Sequence, residues 1–461
     1  MQGDPFAAPS RLSIRLDLGL IERVADRRGA TEDFLLRRFA AALRSERRGS
    51  GGSGQLRIHR PGPEVLERSA VRLSPGGIVQ VRFTAGLPAR GRRVLGRQAW
   101  ALLTGDVVDA ARALHLDPAG RASLERHVAS VCRQRALRRQ LRDHDLVAFI
   151  ADGSVLPRAS GVTQAPLPGA VPFVSPPSLA VTLSTDQGPV TGMGVPRGVT
   201  LIVGGGFHGK STVLSALARG HLDHVPGDGR EAVVSDPEVV KIRAEDGRRV
   251  AQVDISPFLG ELPGGRSTAP FSTDDASGST SQAAALVEAV ESGARLILLD
   301  EDTSATNLLV RDARMRALIP PEDEPITPLV ARVRELAERG ISTVMVVGGV
   351  GDWLAVADVV VAMAGWVPRD ATEEARAVAG EVPVAPRPMV EAAARVPLPL
   401  AQRVGRIRAR DTRAVRFGDD DIDLVAVEQV LDASHAWSLG QALRFLYEDL
   451  IDGHRTLPQL L

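Results

Sequence analysis

Cysteine, aromatic residues and long apolar runs are scarce or missing in this sequence of 461 residues. A single cysteine, Cys132, excludes an internal disulfide, and the lack of Cys/His clusters argues against structural zinc. No apolar run approaches the roughly 20 residues that span a bilayer, and the N-terminus lacks the basic and then apolar pattern of a signal peptide. We therefore expect a cytoplasmic protein that does not insert into a membrane.

Lysine is absent from residues 1–165, which contain 28 arginines against 16 Asp and Glu, a formal charge of +12. Because the whole chain has 56 basic and 56 acidic residues, the remainder carries −12. Such asymmetry indicates that the N-terminal part contacts a polyanion. The alternative is a solvated surface on which arginine replaces lysine, and composition leaves both interpretations open.

Residues 199–219 combine an apolar run, a glycine-rich turn and a segment with apolar residues at helical spacing. The turn matches G-x-x-x-x-G-K-[S/T], whose glycines let backbone N–H groups curl around phosphate oxygens at the start of a helix. In this pattern Lys210 reaches the β- and γ-phosphates and the Ser211 hydroxyl ligates Mg²⁺. The sequence therefore predicts a site for ATP and Mg²⁺ rather than a glycine-rich turn that matches by chance. The predicted nucleotide-binding residues of this stretch are Gly204, Gly205, Gly206, Phe207, His208, Gly209, Lys210, Ser211 and Thr212.

A second apolar run, RLILLDE, ends in two carboxylates, Asp300 and Glu301. In open α/β sheets ligands lie at the carboxyl ends of the strands, so this pair is expected beside the glycine-rich turn. We predict that Asp300 holds Mg²⁺ and that Glu301 polarises the water that attacks the γ-phosphate, with Lys210 as the other catalytic residue. An apolar run that ends in Asp-Glu is weak evidence alone and becomes strong only after a phosphate loop.

The surroundings of the acidic pair resemble the ABC class of ATPases. Asp-Glu itself is typical of that class, the sequence ASGSTS at 276–281 stands where the class has its signature motif LSGGQ, and SATN at 304–307 stands where it has its D-loop. By this resemblance Ser277, Gly278 and Ser279 face the γ-phosphate bound by a second copy of the chain, so a homodimer encloses two ATP molecules. The alternative for ASGSTSQ is an ordinary polar turn with a serine cap.

Longer stretches resemble one family in particular, the predicted ABC-class ATPases, which include a trypanosome mitochondrial RNA-binding protein. The resemblance covers most of the chain and implies an ABC ATPase core between two flanking domains, homodimerisation and a role in RNA binding. Relatives carry a segment upstream, which leads us to expect that the natural start lies before Met1. The stretches include QGDPFAAPSR, LVAFIADGSVLPR, VGGGFHGKST, HVPGDGREAVV, DASGSTSQAA, LLDEDTSATN and FGDDDIDL.

Several positions depart from the ABC pattern. The switch histidine is replaced by a glycine-rich segment at 348–352. His208 stands inside the loop, either with a catalytic role or as a simple loop residue. The Q-loop glutamine is undefined, with Gln252 at a plausible distance, and Phe173 is the sole aromatic residue on the approach to the core for adenine stacking.

We predict an α/β fold in which an ABC-type P-loop NTPase core with a mixed sheet, at 166–382, is flanked by α+β domains. The N-terminal basic domain covers 1–165 and the small C-terminal domain covers 383–461. Residues 160–198 are rich in Pro, Gly and Ser, which predicts a linker. Helices are expected to begin at Thr31 and Ser281, and the arginines of a helix at 123–142 form either a ridge that tracks phosphates or a solvated face.

These observations predict an ATPase whose dimer closes on ATP and opens after hydrolysis. This cycle would move domains that bind nucleic acid, and RNA is the nucleic acid that we expect. A self-contained transporter is disfavoured because the sequence has no membrane-spanning segment. An ATPase subunit that a separate membrane protein recruits remains an alternative. The alternative is a nucleotide-gated binding module with little hydrolysis, which the missing switch histidine favours. A P-loop kinase is disfavoured by the Asp300-Glu301 pair and by SATN.

Overall fold

The chain forms two compact units in a computed structural model that describes residues 4–19, 25–46, 49–262, 267–311, 313–319, 323–382, 384–385, 388–389, 394–399 and 403–461. The first unit contains Met1–Ala136, Ser160–Ala165 and Leu222–Glu231. The second contains Leu137–Ala159, Pro166–His221 and Ala232–Leu461. The predicted division at 1–165, 166–382 and 383–461 uses other boundaries and stays a prediction.

The first unit is built on a four-stranded antiparallel sheet with one helix against it. Strand Ile78–Ala85 lies in the middle, with Ser10–Asp17 on one side and Leu56–Arg57 and Val71–Leu73 on the other. The helix Ala25–Ala42 packs its apolar face on this sheet. Thr31 lies inside that helix, where its hydroxyl donates to the Arg27 carbonyl, so the predicted start at Thr31 is wrong.

Several shorter elements complete the first unit. They are strands Glu64–Val65, Ala89–Arg90, Arg93–Val94 and Asp223–His224, and helices Gly96–Ala101, Leu102–Asp106 and Val107–Arg112. The helix Pro118–Gln140, which confirms the helix predicted at 123–142, and the strands Arg158–Ser160 and Thr163–Pro166 contain residues of both units.

The second unit is organised around a six-stranded mixed sheet. In chain order its strands are β1 (Val199–Val203), β2 (Val239–Ile242), β3 (Leu296–Asp300), β4 (Ser342–Val347), β5 (Val359–Ala364) and β6 (Val367–Asp370). Their spatial order is β2-β3-β4-β1-β5-β6, and only the last pair is antiparallel. The near-continuous apolar strands predict burial on both faces, which is what the sheet shows.

Different layers cover the two faces of this sheet. Helix α1 (Lys210–Arg219) and a four-stranded antiparallel sheet pack on one face, where Val213, Leu214 and Leu217 meet Leu298. Helices α2 (Gly278–Glu291) and α3 (Val333–Glu338) pack on the other. The predicted mixed sheet and α/β core are therefore confirmed.

The antiparallel sheet corrects the predicted linker at 160–198. Its strands are Leu146–Ala151, Ala180–Thr185, Gly188–Pro196 and Val233–Ser235, so much of that stretch is ordered structure. The glycines that indicated a linker allow close strand approach, because a Cβ built on Gly192 would lie 2.3 Å from the carbonyl oxygen of Ile150.

The C-terminal part of the second unit is a three-stranded antiparallel sheet, Ile407–Ala409, Ala414–Phe417 and Asp420–Asp423, packed by helix Ala433–Phe445. Helix α4 (Thr372–Val378) precedes it. None of the helices in the described part of the chain has the length and apolar character that crossing a bilayer needs. The other elements of this unit are Pro177–Leu179, Arg248–Val253, Phe271–Ala276, Glu301–Thr303, Thr306–Leu309, Ala313–Leu318, Leu329–Ala331, Gly351–Val356, Leu446–Leu450 and Leu457–Leu460.

Candidate nucleotide-binding site

The predicted phosphate loop joins β1 to α1 at the carboxyl edge of the parallel sheet. Gly204 has φ +138°, and a Cβ built on it would lie 2.4 Å from the Met363 carbonyl oxygen. Gly209 has φ +97° and directly precedes α1. Only glycine adopts these conformations without strain, so the loop geometry explains both glycines of the motif. Gly205, Gly206 and Phe207 lie between them, and all three are exposed.

The lysine of the loop folds back onto it. Lys210 Nζ donates to the carbonyl oxygens of Gly204 at 2.7 Å and Gly205 at 2.8 Å. Ser211, next along α1, is exposed. The ammonium group therefore lies against the backbone of the predicted phosphate loop.

The acidic pair lies at the same edge of the sheet. Asp300 pairs with Val346 of β4, and Val347 of β4 pairs with Val203 of β1, immediately before the loop. Two strand spacings of roughly 4.8 Å thus separate the acidic pair from the loop. Asp300 is buried, with 5% of its surface exposed.

Glu301 is held by the segment that replaces the switch histidine. Its Oε2 accepts hydrogen bonds from the N–H groups of Gly348 at 2.6 Å and Gly349 at 3.0 Å. Its other carboxylate oxygen, Oε1, has no hydrogen-bond partner among the described residues. The glycine pair therefore positions the carboxylate, a role that sequence reasoning missed because only the fold places residue 348 beside residue 301.

The signature-like segment begins helix α2, where Ser277 is the N-cap and accepts from the Thr280 N–H at 3.4 Å. Ser281 lies in the first turns of the helix, so its predicted role as cap is wrong. The helix begins one turn earlier because the side chain of Ser277 satisfies one of its first N–H groups. Among the described residues no hydrogen bond joins Ser277, Gly278 or Ser279 to the phosphate loop.

Gln282 connects this helix to the SATN segment. It is fully buried, its Nε2 donates to the Ser304 hydroxyl at 2.9 Å and its Oε1 accepts from the Ala305 N–H at 2.8 Å. One buried side chain thus joins the two segments that resemble the signature motif and the D-loop.

His208, in the phosphate loop, contacts the turn between β5 and β6. The His208 Nδ1 accepts from the Gly365 N–H at 2.8 Å, so this nitrogen carries no proton. The Trp366 N–H donates to the His208 carbonyl oxygen at 3.2 Å. Trp366, whose indole contacts Gly209, went unnoticed in the sequence because more than 150 positions separate it from the loop.

Other sequence candidates lie elsewhere. Phe173 is 2% exposed and belongs to the core, which excludes it as a stacking surface. Gln252 is on strand Arg248–Val253, where its Nε2 donates to the Ser272 hydroxyl at 3.0 Å. Among the described residues, no three His, Cys, Asp or Glu side chains gather into a metal cluster.

Several arginines of the helix Pro118–Gln140 and of the central region are paired. Arg135 contacts Asp223 at 2.7 Å, and Arg138 donates to the Gly220 carbonyl at 3.2 Å. Arg248 pairs with Glu245 and Glu288, and burial raises the pKa of Glu245, partly offset by Arg248. These contacts favour a structural role over a continuous ridge that tracks phosphates.

A cavity of about 800 Å³ lies at the opposite edge of the sheet. Its lining includes Arg197 before β1, Arg295 before β3 and Gly340 before β4. Ligands of open α/β sheets bind at the carboxyl ends of the strands, whereas this cavity lies at their amino ends. The cavity is therefore not the candidate nucleotide site, in spite of its volume.

A strand, a glycine loop with lysine and serine, and a carboxylate pair on a neighbouring parallel strand define the P-loop class of nucleotide-binding proteins. The family model for the P-loop domain of ABC ATPases matches residues 120–396, more than half of the sequence, and this chain belongs to the ABC-class ATPase family. The model for the N-terminal part of ATPases of the ABC class matches residues 1–116, and that for the MRB1590 C-terminal domain matches residues 406–461. The family and the fold class predicted from the motifs are therefore confirmed.

Individual relatives are more distant. The uncharacterized protein MJ1628 of Methanocaldococcus jannaschii is 33% identical over 191 residues, which are 39% of this chain and 42% of that protein. The chain thus spans less than half the length of this curated relative.

Among solved structures, the ADP conformation of MJ1267, an ATP-binding cassette of an ABC transporter, is 14% identical with a TM-score of 0.28, over 50% of this chain and 94% of that one. CbiO1 from Clostridium perfringens, part of the ABC transporter complex cbiONQ, is 12% identical with a TM-score of 0.29, over 51% and 92%. Identities and TM-scores this low do not support the assignment of this chain to a family. That assignment comes from the family model and from the geometry of the chain itself.

Proposed function

We propose that this protein binds ATP with Mg²⁺, dimerises around it and hydrolyses it, and that this cycle moves parts of the chain that bind RNA or another nucleic acid. The observation that carries the proposal is Glu301, anchored through Oε2 by Gly348 and Gly349 at the sheet edge that holds the phosphate loop. An anchored carboxylate whose other oxygen has no hydrogen bond within the described part of the chain suits a general base for water.

The residues of the site fit a magnesium nucleotide. A hydroxyl on Ser211 and a carboxylate on Asp300 are the hard oxygen ligands that Mg²⁺ takes, with phosphates and water supplying the rest. Mg²⁺, when bound, neutralises charge on the β- and γ-phosphates. Lys210, which donates to the carbonyl oxygens of Gly204 and Gly205, would exchange these hydrogen bonds for bonds to phosphate oxygens.

The dimer supplies the second half of the proposed site. Ser277 caps a helix of 14 residues whose positive N-terminal end favours an anion. Since no contact within the described chain brings Ser277 to the loop, a second copy of the chain is the source of the closing surface. In this arrangement Ser277, Gly278 and Ser279 bind the γ-phosphate held by the partner.

The test compares Glu301→Gln with wild type and with Asp302→Asn, whose carboxylate is exposed one position away. Glu301→Gln keeps an oxygen for Gly348 and Gly349 but loses the base, so steady-state phosphate release should fall about 100-fold or more. ATP affinity should stay within a few-fold, and light scattering should show more dimer with ATP than for wild type. Asp302→Asn should behave as wild type in every measurement.

A second candidate is a nucleotide-gated binding module with little hydrolysis. Gly348 and Gly349 stand where the ABC pattern has its switch histidine, so the groups that hold Glu301 are backbone N–H groups and not an imidazole. Phosphate release that is near background and equal in wild type and Glu301→Gln would favour this candidate.

The nucleic-acid part of the proposal is supported by the open face of the sheet in the first unit. Arg11 and Arg15 are exposed on one strand, opposite Thr84 and Gln80 of the next, and Arg82 is exposed opposite Ser13. Arginines with polar neighbours on a flat sheet suit phosphate oxygens without base reading.

A further inference from the structure

Trp366 is exposed, strained and adjacent to the phosphate loop. It lies in the two-residue turn between β5 and β6, and 44% of its surface is exposed. Its φ is +67°, a conformation that a bulky residue adopts only where its surroundings enforce it. Such strain clusters at ligand-binding sites, so the position of this side chain calls for a functional explanation.

Three contacts fix the turn to the loop. The Trp366 N–H donates to the carbonyl oxygen of His208, and the Gly365 N–H donates to its Nδ1. The indole packs on Gly209, since a Cβ built there would lie 2.7 Å from Cδ1 of Trp366. The loop residue before Lys210 is therefore bordered by an aromatic side chain from the turn after β5, the strand that pairs with β1.

We propose that Trp366 is the platform on which the base of a bound nucleotide stacks. This inference depends on the proposed function, because it needs the triphosphate to lie in the loop at Gly204–Ser211. In a nucleoside triphosphate the ribose and the base follow the α-phosphate, so they lie just outside the loop that holds the phosphates, and Trp366 is an aromatic side chain at that border, in contact with Gly209. Phe173, the sequence candidate, is buried and cannot serve.

The platform reads the face of the base and not its edge. In sequence Trp366 is flanked by Gly365 of the turn and Val367 of β6, neither of which has a side-chain donor or acceptor. Stacking alone accepts every base, because each has a π-face. Stacking on Trp366 therefore contributes little discrimination between adenine and guanine.

The experiment measures dissociation constants by calorimetry on the full chain, with Mg²⁺ and three ligands: ATP, GTP and inorganic tripolyphosphate. The variants are Trp366→Ala, Trp366→Phe and Trp437→Ala, the last removing an indole of similar exposure, 47%, from another part of the chain. Trp366→Ala should weaken ATP and GTP roughly tenfold or more, since stacking contributes on the order of 1–3 kcal/mol per base. Tripolyphosphate should bind unchanged, Trp366→Phe should retain most affinity, and Trp437→Ala should match wild type.

Other outcomes overturn the inference. An equal loss for all three ligands would show that Trp366 only shapes the loop, and no loss would show that the base lies elsewhere. A loss specific to ATP and GTP in Phe207→Ala, but not in Trp366→Ala, would place the base on Phe207, which is 99% exposed. If wild type binds neither ATP nor tripolyphosphate, the proposed function itself fails and the inference with it; tripolyphosphate binding with no effect of Trp366→Ala sinks the inference alone.

Discussion

At the scale of single residues, neighbouring glycines of the phosphate loop have different physical roles. Gly209 has φ +97° and its Cα faces the indole of Trp366, whereas Gly206 has no heavy atom within 4 Å of a built Cβ and an ordinary φ. A methyl group is therefore tolerated at one position and excluded at the other.

Gly209→Ala should weaken ATP binding at least tenfold. The left-handed conformation costs alanine about 1 kcal/mol, and the added carbon would overlap Cδ1 of Trp366 at 2.7 Å. Gly206→Ala is the matched control and should bind ATP within about twofold of wild type, since open space surrounds it. Titration with a fluorescent ATP analogue measures both, and equal losses in the two variants would contradict this account of the loop.

At the scale of elements, the edge strand β6 ends in a carboxylate that ties three elements together. Asp370 accepts from the Thr372 N–H at 2.9 Å, the Thr372 hydroxyl at 2.6 Å and the Ser178 hydroxyl at 2.6 Å. Burial opposes ionisation, but these hydrogen bonds and Arg369 outweigh it, so the pKa of Asp370 is lowered from 3.8. The ionised form thus joins β6 to α4 and to the turn at Pro177–Leu179.

Because its folded pKa lies below its unfolded pKa, Asp370 stabilises the protein above about pH 4 and loses this effect as pH falls through the folded pKa. Asp370→Asn should lower the free energy of unfolding by about 1 kcal/mol near pH 6, and the difference from wild type should shrink towards pH 3. Urea denaturation across that pH range measures it.

Asp186→Asn, in an exposed hairpin turn, is the control and should leave both the stability and its pH dependence unchanged. A difference between wild type and Asp370→Asn that stays constant from pH 6 to pH 3 would contradict the role assigned to the ionised carboxylate.

At the scale of the whole molecule, positive charge is concentrated in the N-terminal part of the chain, with +12 over residues 1–165. Several of these arginines form ion pairs within the protein, as Arg135 does with Asp223, and are therefore less available to bind a polyanion. Arg11 and Arg15, on the open face of the first unit's sheet, are exposed and have no ion pair among the described residues. They are accordingly the best candidates for contacts with a polyanion.

Single-stranded RNA should bind wild type with an affinity that falls steeply with salt. Replacing both residues in the Arg11→Gln, Arg15→Gln variant should weaken binding and reduce the slope of log K against log salt by about 0.7 for each phosphate group that an arginine no longer neutralises. Filter binding over a salt series measures the slope. Arg112→Gln, an exposed arginine paired with Asp109, should leave it unchanged. Binding that is absent at low salt, or independent of salt, would remove RNA from the proposal.

Local motifs were predictable because the residues that form them are consecutive. The strand, loop and helix from Val199 to Arg219 depend on spacing along the chain, and the apolar run before Asp300 predicts its strand directly. The linker predicted at 160–198 was wrong, because pairing of Gly188–Pro196 with Leu146–Ala151 decides that structure and no local composition reports it.

The amino-acid sequence by itself determined the phosphate loop, the acidic pair and the family, since each is written in contiguous residues. Only the tertiary structure decided that Gly348 and Gly349 anchor Glu301 and that Trp366 covers Gly209. The physical reason is the strand order β2-β3-β4-β1-β5-β6, which brings the carboxyl ends of strands distant along the chain to one edge of the sheet.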